Sequence, residues 1–445
     1  MQSDRHPGLD PGPTFSLPRN RQEGRPRLKA GVTILVAALL ALLLPSAAPA
    51  KAKRAPVRPP VTILISIDGF RADYLDRGAS PTLSALAKAG VTGPMRPSYP
   101  SLTFPNHWTL VTGRRPDRNG IVGNMMEDPR RPGEIFTMAS EDPFWWNEAE
   151  PIWVSAEKQG IRTATMFWPG SNVTWGGHKA NRFHTPFEGG VRPADWQQFS
   201  GYVTDEQRVN AVLDWLRRPA AIRPKLVTLY FDEVDAAGHE YGPDDPRTTE
   251  AVRDVDAAIG RLRAGLAALG QPANLVIVAD HGMAPISADR SIPMDQLANP
   301  ADYRVLETGP YASLFAVPGR EAALEAALFK PHDHVRCMKK ADLPAALHYG
   351  ANPRVPPYQC LADSGWTIRK TTAERPRTGG AHGYDPRARE MAALFIASGP
   401  AFRAGQRVAA FDNVDVYPLI ARIAGVKANP GDGTIATFSR TLKRP

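Results

Sequence analysis

Three short apolar runs in this 445-residue chain each lead straight into acidic or imidazole side chains. VTILISI is followed by Asp68-Gly69. KLVTLYF is followed by Asp232-Glu233-Val234-Asp235, with His239 beyond it, and NLVIVA by Asp280-His281. A fourth candidate, His382, lies in the glycine-rich segment Gly379-Gly380-Ala381-His382-Gly383-Tyr384, ahead of the run AALFIA. Carboxylates and imidazoles gathered in one place repel one another or become neutral unless a cation balances them. Mixed Asp/His donors suit zinc, at about 2.0–2.2 Å from each donor. Three carboxylates and three imidazoles are enough for two ions. Two metals roughly 4 Å apart form a clamp for in-line displacement at phosphorus. Taken singly, an Asp after a strand is often a turn residue, and a lone His is more often packed than ligating. The conjunction carries the reading.

A nucleophile is also on offer. Ser101-Leu102-Thr103-Phe104-Pro105-Asn106-His107 precedes the apolar run Trp108-Thr109-Leu110-Val111, a helix stopped by Gly113. Pro105 fits its first turn, which places Thr103 near a helix N-terminus, where backbone N–H groups and the dipole favour an alkoxide and a phosphate. The competing reading makes Thr103 a plain helix cap. Spacing alone does not separate Thr103 from Ser98 or Ser101.

Residues so far apart in sequence need a scaffold that gathers them. The β-branched runs Val61–Ile67, Thr163–Trp168, Lys225–Phe231, Asn274–Ala279 and Ala392–Ala397 read as buried strands. Between them lie helical patterns. Ser80-Pro81 opens one as N-cap and first turn, and Thr204-Asp205-Glu206-Gln207 is a capping box for another. Arg247–Leu269 carries Val252, Val255, Ile259, Leu262 and Leu266 three and four apart. Strands alternating with amphipathic helices indicate an α/β fold, a mostly parallel sheet with helices on both faces. The carboxyl ends of such strands line the binding crevice. From residue 285 to 377 the alternation degrades into Pro-rich, polar sequence, expected to be an inserted, smaller α+β subdomain between two parts of the core, 61–284 and 378–445.

The N-terminus reads as an address. Gly31–Leu44 is an apolar run preceded by Arg25, Arg27 and Lys29 and followed by a small-x-small ending at Ala50. That is the pattern of a secretory signal peptide over residues 1–50, and the run is shorter than the roughly 20 residues needed to span a bilayer. Residues 1–24 are an unusually long polar lead, as a start placed too early would leave, and 51–60 form a basic, Pro-rich linker. Export to the periplasm or outside the cell is the expectation, with membrane contact only through an uncleaved signal. Two cysteines, Cys337 and Cys360, then meet an oxidising compartment where they can pair; two unpaired buried thiols are the alternative. Lys+Arg 54 against Asp+Glu 45 gives +9, and the basic residues are scattered. No stable nucleic-acid complex is therefore expected, while a small anionic substrate fits.

The ordered set IDGFRADYL (67–75), TFPNH (103–107), DEVDAAGHEYGP (232–243), ADHGM (279–283) and GGAHGYD (379–385) resembles the nucleotide pyrophosphatase/phosphodiesterase family of the alkaline phosphatase superfamily. The likeness spans about residues 61–436. It implies an alkaline-phosphatase-like fold and Thr103 as nucleophile. One zinc would be held by Asp68, Asp280 and His281 and would bind the Thr103 oxygen; the other would be held by Asp235, His239 and His382. Asn106 would donate to a phosphate oxygen, and Phe104 and Phe199 would be the walls of a nucleobase clamp. The implied activity is hydrolysis of nucleotide phosphodiester or pyrophosphate bonds through a phospho-threonine, releasing nucleoside 5′-monophosphates. A choline- or lipid-head-group phosphodiesterase, a phosphomonoesterase or phosphonate hydrolase on the same scaffold, and a non-catalytic metal-containing binding protein are the alternatives. A sulfatase fits poorly, because Thr103-Phe104-Pro105-Asn106 has neither the Cys or Ser nor the Arg of its motif.

Overall fold

The β-branched, apolar runs form an eight-stranded sheet in the order Gln406–Arg407, Val91–Thr92, Phe395–Ser398, Ala273–Val278, Val61–Ile67, Leu226–Phe231, Thr163–Met166, Asp195–Gln197. This computed structural model describes residues 58–182 and 185–443. The expected signal peptide and residues 51–57 of the linker lie outside them. Phe395–Ser398 runs antiparallel to both neighbours, and the five strands from Ala273–Val278 to Asp195–Gln197 are parallel. Every residue of Val61–Ile67 and Leu226–Phe231 is buried, so both faces of the sheet are covered. Trimming one of these side chains, such as Ile65, to Ala would cost about 2–5 kcal/mol.

The helices pack in two sets. Pro81–Ala89 and Asp205–Arg217 each pack on Pro246–Ala268, and Thr103–Thr112 packs on Val416–Ala424. The capping box at Thr204 forms in both directions, Thr204 Oγ1 accepting from Gln207 N and Gln207 Oε1 from Thr204 N. Ser80, by contrast, does not cap its helix. The buried carboxylate of Asp256, on the long Pro246–Ala268 helix, takes the free N–H groups of Thr82 and Leu83 at 3.0 and 2.7 Å. A tertiary partner has displaced the local cap.

Two expected strands are trimmed. Thr163–Trp168 stops at Met166, because Phe167 turns into the left-handed region at φ 56°. Ala392–Ala397 contracts to Phe395–Ser398. The polar edge strand Asp195–Gln197 has no apolar signal to announce it.

Within 285–377, Tyr303–Glu307, Tyr311–Ala316, Tyr358–Ala362 and Val335–Lys339 form a four-stranded antiparallel sheet in that order, beside the helix Glu321–Leu328. Its own buried cluster includes Leu314, Leu324, Leu328 and Tyr358. Cys337 stands opposite Cys360 in the ladder, and the two form a disulfide. The chain leaves and returns to the core through an antiparallel pair, Ala284–Ile286 with Gly379–Ala381, which sets His382 at the end of the second strand. Buried Arg354 ties this stretch to the core through Asp128 at 2.7 Å and the carbonyls of Gly120 and Trp145. Among the described residues no helix is long and apolar enough to cross a membrane.

Candidate active site

Strand register brings the first ligands together. Ile67 pairs with Phe231, and Ser66 with Val278. Continuing past the ends of these three adjacent parallel strands therefore sets Asp68 beside Asp232 on one side and Asp280 on the other. The helix Glu233–Tyr241 starts there and carries Asp235 and His239 one turn apart on one face. Gly69 has φ 66° and lies against Asp235, where a Cβ would come within 2.9 Å of its backbone; only glycine fits both demands. His382 arrives from the Gly379–Ala381 strand, packed against the same helix.

The three imidazoles share one orientation. His239 Nδ1 donates to Gly380 O at 2.9 Å, His281 Nδ1 to Gly282 O at 2.9 Å, and His382 Nδ1 to Ser101 O at 2.8 Å. A carbonyl only accepts, so each Nδ1 carries a proton and each Nε2 is presented inward, the arrangement that suits a metal-ligating histidine. His281 Nε2 lies 2.9 Å from Asp280 Oδ2 and 3.4 Å from Asp68 Oδ1. His239 Nε2 lies 3.4 Å from Asp235 Oδ2 and 3.0 Å from His382 Nε2, which is 3.5 Å from Asp235 Oδ1. The His281 and His382 rings stack at 3.5 Å, so the two donor sets adjoin.

The donor set fits metal ions. Asp68 Oδ1, Asp235 Oδ1 and Asp280 Oδ2 are buried oxygens without a hydrogen-bond partner, a costly state for a carboxylate unless a cation meets it. Donor atoms of Asp68, Asp280 and His281 lie within 4.8 Å of one another, as do those of Asp235, His281 and His382. A tetrahedral ion with bonds of about 2.0–2.2 Å needs donors about 3.3–3.6 Å apart, and most of the separations above are close to that. Electrostatics point the same way. Burial, then Asp280 and Asp235, pushes the Asp68 carboxyl well above its usual range, and burial also raises Asp235. Burial drives His382 well down, reinforced by His281 and His239. Burial alone would raise Asp280, but His281 and His107 against it hold it low; burial alone would lower His281, and Asp280 reverses the sign.

The three hydroxyl candidates now separate. Ser98 Oγ donates to Asn413 and Ser101 Oγ to Tyr384 O, both buried. Thr103 is the first residue of the Thr103–Thr112 helix, with Leu102 at the cap position. Its Oγ1 lies 3.4 Å from His281 Nε2 and faces a cavity of about 620 Å³. Phe104 and Phe199 line that cavity too, with Phe167, Trp146 and Trp168. Phe199 is half exposed, its ring edge-on to Phe167 and Tyr230.

Asn106 is a correction. It is fully buried, its Nδ2 donates to Pro100 O and Leu102 O, and its Oδ1 accepts from Ser98 N and Asn413 Nδ2. With its hydrogen-bonding capacity spent on the loop before the helix, it has no donor for a phosphate. Another amide, Asn124, lines the cavity instead. Its Oδ1 accepts from Phe104 N at 3.1 Å, which leaves its NH₂ group as a donor on the wall. It sits in an irregular loop, where no periodicity marks it. Tyr230 also escaped notice inside an apolar strand; its phenol donates to Asp68 Oδ2 at 2.6 Å. His107, in the TFPNH stretch, is held between Ser66 Oγ and Thr103 O, each at 2.8 Å, and burial lowers its pKa. Asp232 is taken by Arg208 at 2.7 Å.

Residues 62–385 match the family model described as type I phosphodiesterase / nucleotide pyrophosphatase. The chain is 36% identical over 381 residues to a bis(5′-adenosyl)-triphosphatase of Xenopus laevis, covering 85% of this chain and 80% of that one. It is 34% identical over 403 residues to ectonucleotide pyrophosphatase/phosphodiesterase family member 1 of Mus musculus, but spans only 43% of that relative's length. Human ectonucleotide pyrophosphatase/phosphodiesterase 5 superposes with a TM-score of 0.80 at 31% identity, over 86% of this chain and 100% of that one. The murine counterpart, solved as an inactive Thr-to-Ala variant in complex with AMP, gives the same TM-score, identity and coverage. Matched along most of its length by both sequence and fold, the chain belongs to the type I phosphodiesterase / nucleotide pyrophosphatase family.

Proposed function

We propose that the chain is an exported two-zinc phosphodiesterase that cleaves nucleotide phosphodiester or pyrophosphate bonds through a phospho-threonine on Thr103, releasing nucleoside 5′-monophosphates. The observation that carries this reading is Thr103 Oγ1, 3.4 Å from His281 Nε2 at a helix N-terminus, on the same cavity as Asp68, Asp235, His239 and His382. Asp68, Asp280 and His281 would hold one zinc, beside Thr103, and Asp235, His239 and His382 the other. Bound zinc supplies Lewis-acid stabilisation of the phosphoryl charge and makes a neighbouring hydroxyl or water more acidic.

The side chains do the rest. Thr103 Oγ forms the new bond to phosphorus while the bond to the leaving group breaks, so that the threonine carries the nucleotide through its phosphate; water then cleaves the bond between Thr103 Oγ and phosphorus, releasing the nucleoside 5′-monophosphate and restoring the hydroxyl. The first N–H groups of the Thr103–Thr112 helix favour the phosphoryl oxygens. In place of Asn106, the Asn124 amide donates to one of those oxygens. Phe104 and Phe199 take the base between them, each stacked face contributing about 1–3 kcal/mol. The inactive Thr-to-Ala variant of the murine relative, which holds AMP, supports both the nucleophile and the nucleotide.

Export rests on the basic and apolar lead with its small-x-small ending, and on the Cys337–Cys360 disulfide, a bond that persists in oxidising compartments. The experiment is turnover of a panel of p-nitrophenyl diesters by the purified protein, with and without chelator. A nucleotide diester is expected to be cleaved fastest, with activity lost on chelation and restored by zinc. Chelator-insensitive turnover, or faster cleavage of a choline phosphodiester, would overturn the reading.

A further inference from the structure

The cavity that carries Thr103 is also lined by Glu141, Asn172 and Gln198, from three separate segments. Oε1 of Glu141 accepts from Asn172 Nδ2 at 2.8 Å and from Gln198 Nε2 at 2.6 Å. An ionised carboxylate only accepts, so the NH₂ groups of both amides must turn toward it. Asn172 Oδ1, Gln198 Oε1 and Glu141 Oε2 are thereby left as acceptors with no hydrogen-bond partner among the described residues. Glu141 forms no ion pair among those residues either. The Arg192 guanidinium, over the Trp196 ring at 4.8 Å, interacts with the Glu141 charge without forming an ion pair. This part of the cavity therefore presents an excess of acceptors. Gln198 immediately precedes Phe199, so the cluster is tied in sequence to the wall on which a base would stack.

We propose that Glu141, held in place by Asn172 and Gln198, reads the exocyclic amine of the nucleobase, so that the enzyme selects adenine and cytosine nucleotides over uracil and thymine nucleotides. The inference rests on the nucleotide reading above and adds the base class to it. A 6-amino or 4-amino group donates to the carboxylate, as cytosine's amine does to Glu or Asp in base recognition. The O4 of uracil or thymine would set an acceptor against it. A site built from hydrogen-bonding groups discriminates strongly against an analogue that leaves them unpaired.

The test uses the full protein loaded with zinc and the p-nitrophenyl 5′-esters of AMP, CMP and UMP, with methyl p-nitrophenyl phosphate as a base-free reference and p-nitrophenylphosphorylcholine as a cationic one. Dissociation constants of AMP and UMP are measured beside the kinetics. The wild-type protein should favour adenine over uracil by about tenfold to hundredfold in kcat/KM, most of it in KM, and AMP should bind correspondingly tighter than UMP. Glu141→Gln, whose amide can donate to O4, should bring that ratio to within about threefold, losing far more on the adenine ester than on the base-free one.

Equal handling of adenine and uracil by the wild type would overturn this inference alone, as would an equal loss on every ester in Glu141→Gln, which would mark a structural role. A Glu141→Gln loss greatest on the choline ester would also overturn it. Absence of turnover and of nucleotide binding altogether would overturn the nucleotide reading as well. The wild-type ratio and the two dissociation constants decide the matter even where the variant fails to fold.

Discussion

The phenol of Tyr230 donates a 2.6 Å hydrogen bond to Oδ2 of Asp68, and Asp68 Oδ1 is left buried without a partner. One oxygen is thus anchored so that the other points to the centre, the outer-shell support that orients a metal-ligating carboxylate. Tyr230→Phe keeps the ring and removes the anchor. It should weaken zinc retention about 10–100-fold, measured by competition with a chromogenic chelator, while the fold persists. Unchanged retention would show that packing alone orients Asp68.

Thr103→Ala removes the proposed nucleophile and leaves the six Asp and His ligands in place. Diesterase kcat should fall by at least about 10³-fold, and the acid-stable nucleotidylated protein expected on quenching wild-type turnover should be absent. Zinc content should remain near that of the wild type. Full activity in the variant would move the chemistry elsewhere.

Asn124 and Asn106 should part company. Asn124→Ala loses a donor at the cavity wall, and kcat/KM should drop about 10²–10³-fold with little change in Tm. Asn106→Ala strands the partners of a fully buried amide and should cost about 1–3 kcal/mol for each group left unpaired, seen first in denaturant unfolding. The opposite pattern would restore Asn106 to the site.

This pair shows where sequence reading reaches its limit. Asp68, Asp280 and His281 were legible because an apolar parallel strand must be followed by a turn, and the turn residues of neighbouring strands meet at one edge of the sheet. Thr103 was legible as a residue at a helix start, but Ser98 and Ser101 could be set aside only when their hydroxyls were found spent on Asn413 and Tyr384. Asn106 was implied by the family resemblance, and its place one turn from Thr103 did not reveal that its amide is spent on the carbonyls of Pro100 and Leu102. Asn124, Glu141 and Asn172 lie in loops, where contacts from distant segments decide what a side chain meets. Ser80 shows the same competition in the fold, losing its cap to Asp256.

A pH response is built into the inserted sheet. Burial pushes the Glu307 carboxyl up to about 7, against the 2.6 Å hydrogen bond that Tyr311 donates to it. A carboxyl raised on folding favours the folded state at low pH, and that contribution is lost as pH climbs from the unfolded value near 4.5 through the folded one. Glu307→Gln does not titrate. Its stability relative to wild type, from denaturant unfolding, should therefore improve by about 2–3 kcal/mol between pH 4.5 and 8. A difference independent of pH would mean that water reaches the carboxylate.

The disulfide gives a control away from the chemistry. Replacing Cys337 and Cys360 together by Ala reopens a closure between positions 23 residues apart, worth about 3 kcal/mol by loop entropy. Thermal unfolding should shift down while kcat/KM stays put; loss of activity in a folded variant would tie the insertion to catalysis.

Anomalous diffraction from crystals of the zinc-grown protein, collected on both sides of the zinc absorption edge, tests the central claim most directly. Two edge-dependent peaks are predicted, one among Asp68, Asp280, His281 and Thr103 and one among Asp235, His239 and His382. A zinc-replete crystal with no peak at either set, or with zinc bound only elsewhere, would contradict the account.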